Sequence, residues 1–148
     1  MIDVTVTGKA VPRFSRGDVA QWVADCVKAV ERTRAARFKA DEASVVFVDD
    51  ATMKKLNRTY RSKNATTDVL TFEADHDAAP DSARQLGEIV ISVEQARRQA
   101  AAEGHSLPTE IRYLLLHGVL HAYGYDHERD EGEMNALEIR LRAKLGLA

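Results

Sequence analysis

Near the C-terminal end of this 148-residue chain, His117, His121 and His127 stand together in the run HGVLHAYGYDH. The first two are four residues apart in an apolar stretch that reads as helix, so both rings leave one face, one turn apart. Gly124 offers a backbone that can turn back without a Cβ penalty, and His127 follows three residues later. Three imidazoles converging in this way fill three corners of a tetrahedron and leave the fourth for water or substrate. That is the pattern of a catalytic zinc site with one ion per chain, because structural sites usually close with a fourth protein ligand and are rich in cysteine. Imidazole also suits Ni, Cu and Fe. Three unrelated histidines are the alternative. It leaves unexplained why the most apolar helix of the chain carries two titratable rings that sit badly in a core without partners.

Position 118 restricts the chemistry. The spacing His-x3-His-x2-Gly-x2-His resembles that of the metzincin peptidases, which place a glutamate directly after the first histidine as general base. Here that position is Gly118, which neither accepts a proton nor orients a water. A zinc site without its carboxylate base still polarises a substrate oxygen. It suits a substrate that needs charge neutralisation, and a phosphodiester is one. Such a site also wants a guanidinium, whose planar fork pairs with phosphate oxygens. Arg61 is the candidate by position, after a short helix and before a strand. It is one of five cations, with Lys54, Lys55, Arg58 and Lys63, in a stretch from Ala51 to Asn64 that has no acidic residue. Lys28, Arg32, Arg34, Arg37 and Lys39 form a second basic stretch, while Glu128, Asp130, Glu131 and Glu133 crowd the segment after the histidines. On charge alone, a polyanion footprint and ordinary solvated helix surface read equally well.

Composition bounds the class. A net charge of −2 does not announce a nucleic-acid binder. With 45% apolar and 30% charged residues, the chain is expected to be one globular domain over residues 1–148. No segment is apolar enough to span a bilayer, so no membrane association is expected. MIDVTVTGKA does not read as a signal peptide, and a cytoplasmic location is expected. Cys26 is the single cysteine, which excludes an internal disulfide and is expected in the core.

The elements that must position these residues alternate. Residues 2–7 read as a strand. Ser15, with Asp18 three residues on, opens a helix whose apolar stripe is Val19, Trp22, Val23, Cys26, Val27 and Val30. Residues 43–48 read as a strand, and Asp50 is expected to cap a helix over 51–60. Strands are expected over 67–72 and 86–92, separated by a polar loop containing Pro80. Ser92 and Gln95 have capping-box spacing for a helix ending near Gly104. Pro108 sits in the first turn of the helix that carries Ile111, Leu114, Leu115, Val119 and two of the histidines. A last helix over roughly 131–145 carries Met134, Leu137, Ile139, Leu141 and Leu145. The order βαβαββααα predicts a single α+β (α/β-like) domain: a mixed sheet of about four strands with helices packed on it and a metzincin-like metal helix.

Three runs, LNRTYRSKNATTDVLTF, LGEIVIS and HGVLHAYGYDH, resemble the successive signatures of the YbeY-type endoribonucleases, over roughly Leu56 to the C-terminus. The pattern H-G-x-L-H-x-x-G-Y-D-H is matched at every fixed position. The resemblance implies a bacterial, metal-dependent, single-strand-specific endoribonuclease involved in maturation of the 16S rRNA 3′ end and in ribosome quality control. Its partners would be ribosomal RNA, the small ribosomal subunit and assembly factors, including GTPases. It puts the zinc ligands on His117, His121 and His127, the functional arginine on Arg61, and helices around a four-stranded sheet. The chain departs from the pattern at Lys63-Asn64, at Thr71 and at Gly87-Glu88, where many members have Gly-Asp. Glu88 keeps the charge and reads either as an acid/base or supporting group or as a surface carboxylate.

Other residues are ambivalent. Asp126 could hydrogen-bond a ligand histidine or cap the turn, and Tyr125 could pack beneath the site. His76 and His105 are expected to be exposed and unrelated to the metal, with His105 at the negative end of a helix. Tyr60, Tyr113 and Tyr123 could stack RNA bases or belong to the core. Two competing classes are a non-catalytic ribosome-assembly factor with a structural metal and a peptidase using another base. The cleaved sequence, the attacking oxygen, the metal loaded in the cell and the oligomeric state are left open.

Overall fold

Four of the five helices open on a side chain that accepts from the first free backbone N–H groups, the usual way to satisfy them. In the computed structural model, which describes residues 2–33, 38–74, 84–125 and 132–147, Ser15 caps α1 (Arg16–Glu31) and Asp49 caps α2 (Asp50–Arg61). Ser92 caps α3 (Val93–Glu103) and Ser106 caps α4 (Leu107–Ala122). The fifth helix, α5 (Glu133–Lys144), starts after Gly132 without a side-chain cap. The expected cap Asp50 is thus displaced by one residue: Asp49 accepts from Thr52 N at 2.8 Å. Asp50 instead ties the start of α2 to its neighbours, accepting from Ser92 Oγ at 2.7 Å and pairing with Arg98 at 2.7 Å.

The strands are β1 (Asp3–Gly8), β2 (Glu42–Val48), β3 (Val69–Glu73) and β4 (Gln85–Ser92). They form one sheet in the order β1-β2-β4-β3. β1, β2 and β4 run parallel, and β3 pairs antiparallel with β4, Val69 opposite Ile91 and Phe72 opposite Glu88. β3 begins later than expected, so Thr67 and Asp68 lie ahead of the strand. The element order βαβαββααα and the single mixed four-stranded sheet agree with expectation.

Side chains alternate across the sheet, so adjacent β4 residues serve opposite faces. Ile89 and Ile91 join the main core with Val19, Val23, Val27, Leu115 and Leu116, and Val90 joins a smaller cluster with Met53 and Leu70 beneath α2. Cys26 is buried in the main core, which pushes its thiol pKa up and leaves it inert. Trp22 packs against the same core and donates its indole N–H to Arg112 O at 3.0 Å. α4 lies so close to the sheet that a Cβ on Gly118 would stand 2.9 Å from Ile89 Cγ2. On α5 the buried face is Met134, Leu137, Glu138 and Leu141, whereas Ile139 is 54% exposed. Of the described residues, none belongs to a helix long and apolar enough to cross a membrane.

A candidate metal centre beside the edge strand

The helical spacing of His117 and His121 on α4 brings their rings to 4.6 Å between centroids, nearly perpendicular at 72°. The two Nε2 atoms face each other at 3.0 Å. The Nδ1 of His117 stands 2.8 Å from Glu138 Oε1 on α5. Burial works to raise the Glu138 carboxyl pKa, but the hydrogen bond and charge of His117, with Arg142 and His121, outweigh it and hold the group below its ordinary value. An ionised carboxylate only accepts, so it fixes the proton on Nδ1 and, in the neutral ring, leaves the Nε2 lone pair towards His121. Glu138 is only 6% exposed. Its other oxygen takes Arg142 Nη2 at 3.1 Å, and that guanidinium lies 4.6 Å over the Tyr113 ring.

Two imidazole nitrogens on one tetrahedral zinc, each about 2.0–2.1 Å from it, stand roughly 3.3 Å apart. Two lone pairs facing at 3.0 Å repel unless a proton or a cation lies between them. The donor type, the convergence and the carboxylate behind His117 therefore fit a metal ion. Among the described residues no group of three or more His, Cys, Asp and Glu side chains forms a complete ligand set. His127, the expected third ligand, lies outside the described residues, as do Asp126 and His76.

Both rings open into a cleft of about 520 Å³ beside β3, the edge strand. Its opposite wall is the end of α2 and the loop that follows, with Asn57, Tyr60, Arg61 and Lys63. Local chemistry holds this wall. Ser62 ends α2 in the left-handed conformation (φ 57°), its N–H bonding Asn57 O. The buried Asn57 donates from Nδ2 to Ala65 O at 2.8 Å. Arg61 is exposed. The fold thus places Arg61 in one cleft with His117 and His121, and Tyr125, just past α4, lines it too.

Other candidates fall elsewhere. Glu88 is exposed on β4 and does not line the cleft, which leaves it a surface carboxylate. Gly118 faces Ile89 rather than the cleft, so this position could not present a base to a substrate there. Contrary to expectation, His105 is half-buried, 2.7 Å from Glu110 Oε2 and packed against the Tyr113 ring. Gln99 links Glu110 to Asp68 with contacts of 3.2 and 3.1 Å. Tyr123 is core, its hydroxyl donating to Glu31 at 2.9 Å with its pKa raised by burial. Tyr113 is half-buried and donates to Leu147 O, while Tyr60 stays exposed at the cleft. Glu138 was missed at the sequence level. Its signal was present: Met134, Leu137, Glu138 and Leu141 have the spacing of one helix face, with a carboxylate on an otherwise apolar stripe.

The chain resembles known proteins over most of its length. A model of the family described as Endoribonuclease YbeY matches residues 7–146. Relatives named Endoribonuclease YbeY include one from Roseiflexus castenholzii, 44% identical over 132 residues that cover 80% of this chain and 83% of the relative. Another, from Roseiflexus sp. strain RS-1, is 47% identical over 115 residues, 72% of each chain. The solution structure of TM1509 from Thermotoga maritima shares the fold, with a TM-score of 0.56 at 20% identity, covering 97% of this chain and 91% of that one. The match spans the edge strand, the cleft walls and the histidine helix alike, and the chain belongs to the Endoribonuclease YbeY family.

Proposed function

We propose that this chain is a zinc-dependent endoribonuclease for single-stranded RNA, acting in maturation of the 16S rRNA 3′ end and in ribosome quality control. Its partners would be the small ribosomal subunit and its assembly factors. The observation that carries the reading is the shared cleft: in a chain of this family, an exposed arginine and a convergent histidine pair line one cavity. His117, His121 and His127 would hold one zinc ion, which, when bound, supplies a Lewis acid that offsets charge on a phosphate oxygen. Glu138 keeps the His117 ring in the orientation and tautomer that ligation needs. Arg61 would pair its fork with the non-bridging oxygens of the scissile phosphate, where negative charge grows during attack.

The peptidase alternative loses support at position 118, where a glutamate would meet Ile89 instead of the cleft. The test is cleavage of a short RNA matching the small-subunit 3′ end, by wild type and His117→Ala purified identically, each with and without chelator. Cleavage by wild type alone, lost on chelation, is expected. Equal cleavage by both proteins would mean a contaminant. No cleavage by either would favour a non-catalytic assembly factor.

A further inference from the structure

Tyr60 is 64% exposed, and of the large hydrophobic side chains it shares that exposure only with Ile139 among the described residues. Ile139 lies on α5, outside the cleft, whereas Tyr60 lines the cleft next to Arg61 and Lys63. An aromatic ring held in water is costly to leave idle, since aromatic side chains supply large contact areas when covered. Nor is this ring loose. It meets Phe72 of the edge strand at 5.1 Å between centroids and 76° between planes, an edge-to-face contact. Phe72 in turn packs against the Met53, Leu70 and Val90 cluster. The aromatic is thus anchored through one contact while most of its surface stays exposed, and it lines the cavity that holds His117 and His121.

We infer that Tyr60 is a stacking platform for an unpaired RNA base beside the scissile phosphate, and that it contributes the selection for single strands. The inference rests on the RNA-substrate reading above and adds the residue that recognises the base. Three neighbouring features support it. Arg61 and Lys63 supply cations on the same wall, as a ribose-phosphate backbone requires. The loop carrying Lys63 is held by Asn57, so the wall is formed before a ligand arrives. β3, the edge strand of the sheet, lines the same cleft and gives the strand a floor to run along. A base within a duplex is stacked on its neighbours and offers no free face, so a single ring on the protein discriminates strands without reading sequence.

The experiment measures affinity of the metal-loaded full chain for an unstructured oligoribonucleotide with slowly cleaved phosphorothioate linkages, and for the same sequence as a duplex. Tyr60→Ala should weaken single-strand binding roughly five- to hundredfold and leave duplex binding unchanged. Tyr60→Phe should bind as wild type does. Tyr60→Trp should do the same, and its new indole should be quenched by RNA, against the background of the chain's one native tryptophan, Trp22. Because Tyr60 is exposed, the variants should melt with wild type. Wild-type-like single-strand binding by Tyr60→Ala, in a protein whose wild type cleaves RNA, overturns the platform and leaves the nuclease reading standing. A wild type that neither binds nor cleaves RNA overturns both.

Discussion

Behind the histidines that α4 presents to the cleft, polar groups of α4 and α5 hold one another: Glu138 lies 2.8 Å from His117 and 3.1 Å from Arg142, and Arg142 rests on Tyr113. Where α2 and β3 face it, Arg61 and Lys63 stand exposed and Tyr60 leans on Phe72 with most of its ring in water. The first wall is already ordered before any ligand arrives, as suits groups that must hold a metal within narrow tolerances. The second offers charge and an aromatic surface to something outside. One wall holds the metal ligands and the other meets the RNA, so perturbations of each should fail differently.

The largest effect belongs to the histidine wall. His121→Ala should abolish RNA cleavage while far-UV circular dichroism and melting temperature stay close to wild type, and retained activity in the variant would sink the assignment. Arg61→Ala acts across the cleft. It should lower kcat for RNA cleavage by roughly 10²–10³-fold, the scale for removing one donor aimed at developing charge, with zinc content unchanged. Arg61→Lys should recover only part, since an ammonium lacks the fork. A zinc content that falls with Arg61→Ala would blur the division between the walls.

Glu138→Leu sharpens the comparison from the other side. It should weaken zinc binding about 10–100-fold in a competition titration and shift the NMR signature of the His117 tautomer. Loss of stability alone, with unchanged zinc affinity, would reduce Glu138 to a packing residue. Gly118→Ala should leave both walls intact in composition but push α4 off Ile89, costing about 1–3 kcal/mol by denaturant unfolding. No cost would mean that the helix shifts freely over the sheet.

The smallest effect lies away from the cleft. Burial tends to raise the Asp50 pKa, but hydrogen bonds from Ser92, Arg98 and Thr66 and the charge of Arg98 outweigh it, so the group sits below the ordinary carboxylate value. Its lowered folded pKa means that the stabilisation is present above the unfolded value, about pH 4, and is lost as pH falls through the folded value. Asp50→Asn should therefore melt below wild type at pH 7, and the gap should close on acidification. A gap that persists in acid would assign the effect to geometry rather than charge.

Much of the site could be read beforehand because its signals are local. A pair of histidines one helical turn apart needs only the helix, and Ser15 and Ser92 mark helix starts through hydrogen bonds spanning three residues. Sequence and structure part where neighbours compete or where packing decides exposure. Asp49 and Asp50 are both able caps, and the choice followed from Ser92 and Arg98 drawing Asp50 away. Residue type alone does not separate Ile139 from the other apolar residues of α5, yet the face that packs is the one carrying Glu138. His105 reads as exposed just past a helix end, and it is the packing of α3 against α4 that half-buries it beside Glu110 and the Tyr113 ring.

By itself the sequence determined the order of elements, the four-stranded α+β domain and the pairing of His117 with His121, since each depends on periodicity and capping within a few residues. The meeting of Arg61 with those histidines was decided only by the tertiary structure. It required β3 to turn antiparallel at the sheet edge and α4 to press against Ile89, so that the end of α2 and the face of α4 share one cleft. The same packing turned a lone glutamate on an apolar stripe into the group that holds a histidine in place, because a buried carboxylate is stable only where a partner reaches it.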